Sequence, residues 1–162
     1  MKSPAEIVQG MLDNDAFSQI LGMEIKALEL GYCQLSCPAT AQTTNGFGIA
    51  HGGLTYSLAD SALAFASNTY GQQCVSIDTQ IAHLAKVQLG DLLTANCVEI
   101  HRGKRTGIYE VRIENQNNKW TNLKQIIKVE STREFKNSDK PIEKATRYYI
   151  SSLKNDASEY QK

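Results

Sequence analysis

The sequence predicts an α+β fold in which an antiparallel β-sheet wraps around one long central α-helix. Three observations carry this expectation. The elements run in the order helix, two strands, one long helix, four strands. The long helix is slim, with Ala59, Ser61, Ala62, Ala64, Ala66 and Ser67 along it, so that a curved sheet can wrap it closely. Short polar turns, Gly90-Asp91 and Gly103-Lys104, join the later strands as neighbours. A chain of 162 residues with 41% hydrophobic residues is sized for one domain with a real core.

Residues 4 to 20 read as a helix, capped by Ser3 and opened by Pro4. Ile7, Met11 and Leu12 mark its apolar face, and Phe17, Ile20 and Leu21 continue it past a polar Asp-Asn-Asp interruption. Gly22 ends this unit. Residues 23 to 30 and 32 to 39 read as two strands around Gly31, the second alternating Tyr32, Gln34, Ser36 against Cys33, Leu35, Cys37. Residues 40 to 50 are a loop rich in Thr, Asn and Gly. The long helix follows from about residue 52 to 70, with Leu54, Leu58, Ala62, Phe65 and Ala66 at helical spacing and Gly71 as its stop. Four further strands are expected over residues 74 to 85, 92 to 102, 106 to 115 and 120 to 130. On the first of these, Asp78 and His83 are five apart and are expected on opposite faces.

These elements define one domain over residues 1 to 132. Residues 133 to 162 form a charged C-terminal extension in which Ser138, Asp139 and Pro141 are suited to start a helix. Ile142, Ala145, Tyr149 and Leu153 give it a modest apolar stripe, with a docked helix and a loose tail as equal alternatives.

Lys plus Arg number 17 and Asp plus Glu number 17, so the formal net charge is zero. General nucleic-acid binding, which relies on a basic field, is not expected. No run approaches the roughly 20 apolar residues of a membrane span, and the N-terminus lacks an apolar signal core. No membrane partner is expected, and a cytoplasmic location is. The cysteines Cys33, Cys37, Cys74 and Cys97 form no Cys-x-x-Cys pair, and no His sits at metal-finger spacing, so no metal site is expected. Cys33 and Cys37 lie on one strand face about 13 Å apart, too far for a disulfide. Buried free thiols are the simpler reading.

The chemistry concentrates in residues 45 to 60, Asn-Gly-Phe-Gly-Ile-Ala-His-Gly-Gly-Leu-Thr-Tyr-Ser-Leu-Ala-Asp. A Gly pair opens the long helix and a single carboxylate, Asp60, lies two turns inside it. A helix start offers unpaired N–H groups and a positive dipole end, which suit an oxyanion. A carboxylate on a small, apolar helix can attack a carbonyl or activate water. Together they suggest acyl transfer. Gly52 and Asp60 are eight residues apart, which is about 12 Å along the axis. A reacting carbonyl must lie roughly 3 Å from both its donors and its attacker. One helix cannot serve both roles, whereas two antiparallel copies can, so the site requires a homodimer with two equivalent centres.

These residues carry a resemblance to a known family. Asn45 with His51-Gly52-Gly53, then Leu58-Ala59-Asp60, Ala62, Ala66 and Asn68, resemble the hotdog-fold acyl-CoA thioesterases. The phenylacetic-acid-degradation (PaaI-type) group is the most similar. Gly90-Asp91-Leu92-Leu93-Thr94-Ala95 and the run from His101 to Glu110 match as well, and the resemblance covers roughly residues 5 to 130. It implies a thioesterase in which Asp60 is nucleophile or general base and the Gly52 N–H polarises the thioester carbonyl. It places Asn45 near the carbonyl or the attacking water, and Ser76 where some relatives orient water. It further implies an acyl-CoA substrate with aryl or fatty acyl group, no separate cofactor because CoA arrives with the substrate, and a homotetramer built as a dimer of dimers. Relatives carry an aromatic residue where this chain has His83, and a Pro-Gly stretch where it has Lys86-Val87.

Other roles follow from residue type. His51 precedes the helix and is suited to hold the loop that presents Gly52, and Gly53 leaves a bare backbone for close approach. Arg102, Lys104 and Arg105 cluster at a turn. Such a turn is commonly just solvated, but these side chains also suit CoA phosphates, as Lys86 does. His101 is expected to be solvated. Tyr32, Tyr56 and Phe65 are expected in the core or a pocket lining. Two other functions fit the same fold: a non-catalytic acyl-CoA binding module, and a hydratase or dehydratase. The depth of Asp60 within the helix disfavours the second.

Overall fold

In the computed structural model, residues 2–118 are described in full and residues 120–134 as backbone. Helix α1 spans Pro4–Asp13 and α2 spans Ala16–Ile20. Strands β1 (Glu24–Glu29) and β2 (Tyr32–Pro38) follow, then a 3-10 turn over Ala41–Thr43 and the long helix α3, Gly52–Asn68. The remaining strands are β3 (Gln72–Thr79), β4 (Ala82–His83), β5 (Leu92–Arg102), β6 (Thr106–Asn115) and β7 (Trp120–Glu134). They form one antiparallel sheet in the order β1-β2-β5-β6-β7-β3, with β4 also pairing β7.

The N-terminal helix is two helices, which corrects the single helix expected over residues 4 to 20. Ser3 and Glu6 close a capping box, with Glu6 N–H donating to Ser3 Oγ at 3.2 Å and Ser3 N–H donating to Glu6 at 2.7 Å. The helix stops where Asn14 turns its side-chain amide back onto the Gly10 carbonyl at 2.8 Å. Asp15 then caps α2, accepting from the Ser18 N–H at 3.0 Å. Short polar side chains that bond their own backbone end one helix and begin the next.

Alternation decides which face of the sheet is buried. Cys33, Leu35 and Cys37 of β2 stand opposite Cys97, Ala95 and Leu93 of β5. Cys97 and Ala95 in turn face Val111 and Ile113 of β6. These residues form one inner layer against Leu54, Leu58, Ala62, Phe65 and Ala66 of α3, all at most 4% exposed. Each large apolar side chain buried there contributes about 1.5–3 kcal/mol. The small residues on both surfaces let sheet and helix approach closely. All four cysteines are free, and burial pushes the Cys33 thiol up to about 12 and Cys37 to about 11.

Among the turns with a left-handed backbone, two bound the core elements. Gly31, at φ 71°, joins β1 to β2, and Gly71, at φ 77°, follows the end of α3. The helix ends at Asn68, two residues before the expected end, because the Asn68 side chain turns to the sheet. Its Oδ1 accepts from the Cys74 N–H at 3.0 Å and its Nδ2 donates to the Cys74 carbonyl at 3.1 Å. The single strand expected over 74 to 85 is a second correction: it breaks after Thr79, and β4 resumes for two residues. The last strand runs four residues past its expected end, through Glu134. The expected helix of the C-terminal extension lies outside the described residues. No helix among the described residues is long and apolar enough to cross a membrane.

Candidate active site at the start of the long helix

The start of α3 is built by His51. Its backbone is extended, its N–H donates to the Thr43 carbonyl at 2.7 Å, and its Nδ1 accepts from the Gly53 N–H at 2.8 Å. Its carbonyl accepts from the Leu54 N–H at 2.9 Å. The Thr55 hydroxyl donates to the Gly52 carbonyl at 2.9 Å. Of the N–H groups of Gly52, Gly53 and Leu54, that of Gly52 is the one with no acceptor among the described residues. A Cβ at Gly53 would stand 2.9 Å from His51 Nδ1, so the cap itself requires glycine there.

The Gly52 N–H borders an open cavity of about 320 Å³ whose lining includes Asn45, His51, Gly52, Thr55, His83 and Lys86. Asn45 is held by its loop: its N–H donates to the Ile49 carbonyl at 2.8 Å, and its Oδ1 accepts from the Phe47 N–H at 2.9 Å. Its side-chain NH2 has no hydrogen bond among those to described residues. Asn45, His51, Gly52 and Lys86 are thus brought together, as candidates named from sequence.

Asp60 lies two turns further on, partly buried, in a helix face that also presents Gly53, Tyr56 and Ser57. Burial raises its carboxyl above the ordinary carboxylate range. A hydrogen bond from Ser76 on β3 opposes that rise, and the charge of Asp15, the cap of α2, adds to it. Ser18, which donates to Asp15 at 2.6 Å, also meets Ser61 beside Asp60 at 2.9 Å. Asp60 and Ser76 therefore form a second cluster, and the cavity at Gly52 does not include them. Beside it, β3 is an edge of the sheet and exposes Val75 and Ile77.

Arg102, Lys104 and Arg105 gather at the far end of α3, around a small cavity with Ser67, Cys74 and Tyr109. The guanidinium of Arg102 lies 3.4 Å from the centre of the Tyr70 ring and donates to Gln72 at 2.9 Å. Ser67 is fifteen residues beyond Gly52 on one helix, about 22 Å along the axis. Within one subunit these cations do not approach Gly52.

Sequence reasoning missed His83 and Thr55. The expectation that Asp78 and His83 share a strand is corrected by the break after Thr79. On β4, His83 pairs with Asn122 of β7, and this places its ring 3.3–3.4 Å from where a Gly52 Cβ would stand. Its Nδ1 lies 3.4 Å from the Thr55 hydroxyl. No local pattern signals this contact, because a strand nearly forty residues later in the chain creates it. Thr55 had a local signal: it lies three residues after Gly52, on the same helical face.

Comparison with known proteins agrees with the fold. The family described as Thioesterase superfamily matches residues 47–119. The acyl-coenzyme A thioesterase PaaI of Escherichia coli K12 is 39% identical over 109 residues, covering 67% of this chain and 78% of its own length. The 1,4-dihydroxy-2-naphthoyl-CoA hydrolase of Listeria monocytogenes is 31% identical over 104 residues, 62% of this chain and 84% of its own. The solved structure of E. coli PaaI superimposes with a TM-score of 0.78 at 34% identity, covering 81% of this chain and 94% of that one. The chain belongs to the thioesterase superfamily, with the hotdog fold and a PaaI-type sequence.

Proposed function

We propose that this protein hydrolyses an acyl-CoA thioester to a carboxylic acid and free CoA. The observation that carries this reading is the uncommitted N–H at Gly52, held open by the His51 cap on the same helix that bears Asp60. In the reaction, the thioester oxygen takes the Gly52 N–H. The Asp60 carboxylate of a second subunit attacks the carbonyl carbon or removes a proton from an attacking water. As the tetrahedral species collapses, the C–S bond breaks and the thiolate leaves with its electron pair. A direct attack leaves an anhydride that water then opens. Ser76 donates to the carboxylate and orients it, and Asn45 turns its free NH2 toward the carbonyl or the water.

The eight-residue separation of Gly52 and Asp60 supports a homodimer, and the exposed apolar edge of β3 beside the Asp60 face supports the same arrangement. A homotetramer extends this reading. Antiparallel helices would also carry Arg102, Lys104 and Arg105 of one subunit toward the Gly52 end of the other, where CoA phosphates are their natural partners. CoA enters as part of the substrate and no further cofactor is invoked. The names of the E. coli and Listeria relatives place their substrates among CoA thioesters, and the latter's acyl group is aromatic. An aryl-CoA is the first choice here and a fatty acyl-CoA the second.

The test is release of free thiol from a panel of aryl- and fatty-acyl-CoAs, with Asp60→Asn alongside. The expected result is a fall of at least about a hundredfold in the variant. Absence of release from every thioester, with CoA still bound, would leave a binding module on this fold.

A further inference from the structure

Arg102 is held in place without being neutralised. It is the last residue of β5, with its guanidinium 3.4 Å from the centre of the Tyr70 ring and its Nη2 donating to Gln72 at 2.9 Å. These two holders flank Gly71, whose backbone at φ 77° turns the chain from α3 into β3. No carboxylate among the described residues pairs with Arg102. Glu99, on the same strand, is occupied elsewhere: its two oxygens accept from Tyr109 at 2.6 Å and from Tyr70 at 3.3 Å. The side chains of Lys104 and Arg105 have no hydrogen bond or ion pair to a described residue, so Arg102 is the ordered member of the three.

The choice of holders has a consequence. A carboxylate would fix the guanidinium equally well, but it would cancel the charge and compete with an incoming anion. A ring face and an amide oxygen fix it and leave the charge in place. The rotamer freedom that an exposed Arg would lose on meeting a ligand is already given up. Nε and Nη1 have no acceptor among the described residues and are left for an anion. The cavity behind the turn, about 20 Å³, has room for one water, so an anion meets Arg102 from the solvent side.

We propose that Tyr70 is a positioning residue for substrate recognition: stacked on the Arg102 guanidinium, it presents that cation, ordered and unneutralised, to a phosphate of CoA. This rests on the reading that the Arg102 turn of one subunit meets CoA held at the Gly52 end of the other. Tyr70 acts through Arg102 and touches no reacting atom. The phosphates are remote from the thioester carbonyl and do not change during its cleavage, so Tyr70 affects KM and leaves kcat alone. A thioester of pantetheine, which lacks those phosphates, does not sense Tyr70.

The experiment uses the full-length wild type, Tyr70→Phe, Tyr70→Leu, Arg102→Met and the Tyr70→Leu/Arg102→Met pair, with circular dichroism and elution volume as checks on folding. It reads Kd for CoA by calorimetry, and kcat and KM for the best acyl-CoA and the matching acyl-pantetheine. In Tyr70→Leu, Kd for CoA and KM for the acyl-CoA rise about three- to fivefold, with kcat within about twofold and acyl-pantetheine kinetics as in wild type. Tyr70→Phe keeps the ring face and stays within about twofold of wild type throughout. Arg102→Met raises both constants about tenfold, and adding Tyr70→Leu to it costs nothing further. Wild-type CoA affinity in Tyr70→Leu, equal losses on acyl-CoA and acyl-pantetheine, or an undiminished Tyr70→Leu effect beside Arg102→Met overturns the proposal. CoA affinity unchanged in Arg102→Met removes the phosphate contact and this proposal with it, while continued thiol release keeps the thioesterase reading. No thiol release, with the expected pattern of CoA affinities, overturns the thioesterase reading and keeps this one. A wild type that neither binds CoA nor releases thiol overturns both.

Discussion

Replacing His51 by Ala removes one acceptor and leaves the rest of the helix start in place. The His51 imidazole takes the Gly53 N–H at 2.8 Å, and the residue is exposed. Water reaches the freed N–H, so the cost is that of a lost N-cap, about 1 kcal/mol, and not that of a buried orphan donor. For a domain of this size the melting temperature falls by about 3–5 °C. If the cap acts by holding the helix start, the same free energy limits the loss of activity to about tenfold, since each 1.36 kcal/mol is about a factor of ten in rate. His51→Asn restores a side-chain acceptor at the cap and should regain most of both losses. The assay pairs urea unfolding at fixed protein concentration with thiol release from the best acyl-CoA. A thousandfold loss of activity in both variants, with stability unchanged in His51→Asn, would refute the capping argument and make His51 a base.

Asp60→Asn should raise the melting temperature at pH 7.5 and give no such gain at pH 4. The folded-state pKa of Asp60 is raised, chiefly by burial, so the protonated form is favoured by folding. Stability tied to this group is therefore present below its unfolded value, about 3.9, and is lost as pH rises through the higher folded value. A variant less stable than wild type at pH 7.5 would contradict this. Asn68→Ala should cost about 2–4 kcal/mol in urea unfolding, because the Asn68 side chain, 2% exposed, satisfies both the N–H and the carbonyl of Cys74. A loss under about 1 kcal/mol would show that water replaces it.

Local chemistry was legible in the sequence and long-range pairing was not. The limits of β5 and β6 coincide with those expected, since Gly90-Asp91 and Gly103-Lys104 bound their alternating runs. The start of α3 and the role of His51 at it follow from neighbours within four residues. The break between β3 and β4 was hidden because both pair with β7, whose partner residues lie 39 to 62 positions away. The contact of His83 with Gly52 was hidden for the same reason. The turn of Arg102, Lys104 and Arg105 was recognised as a cationic cluster. Its distance from Gly52 depends on which end of α3 the β5–β6 turn reaches, and topology alone decides that.

Order of synthesis adds a constraint of its own. Among the described residues, β3 has one hydrogen-bonded neighbour, β7, and β4 has the same one. On a chain emerging from the N-terminus, α3 with Gly52 and Asp60 is complete while Ser76 and His83 still lack the strand that seats them. A nascent chain ending near residue 118 carries the cap and the carboxylate but neither partner side chain in position. Under the proposed mechanism, Asp60 thus meets Ser76 only late in translation, after the last strand has closed the sheet.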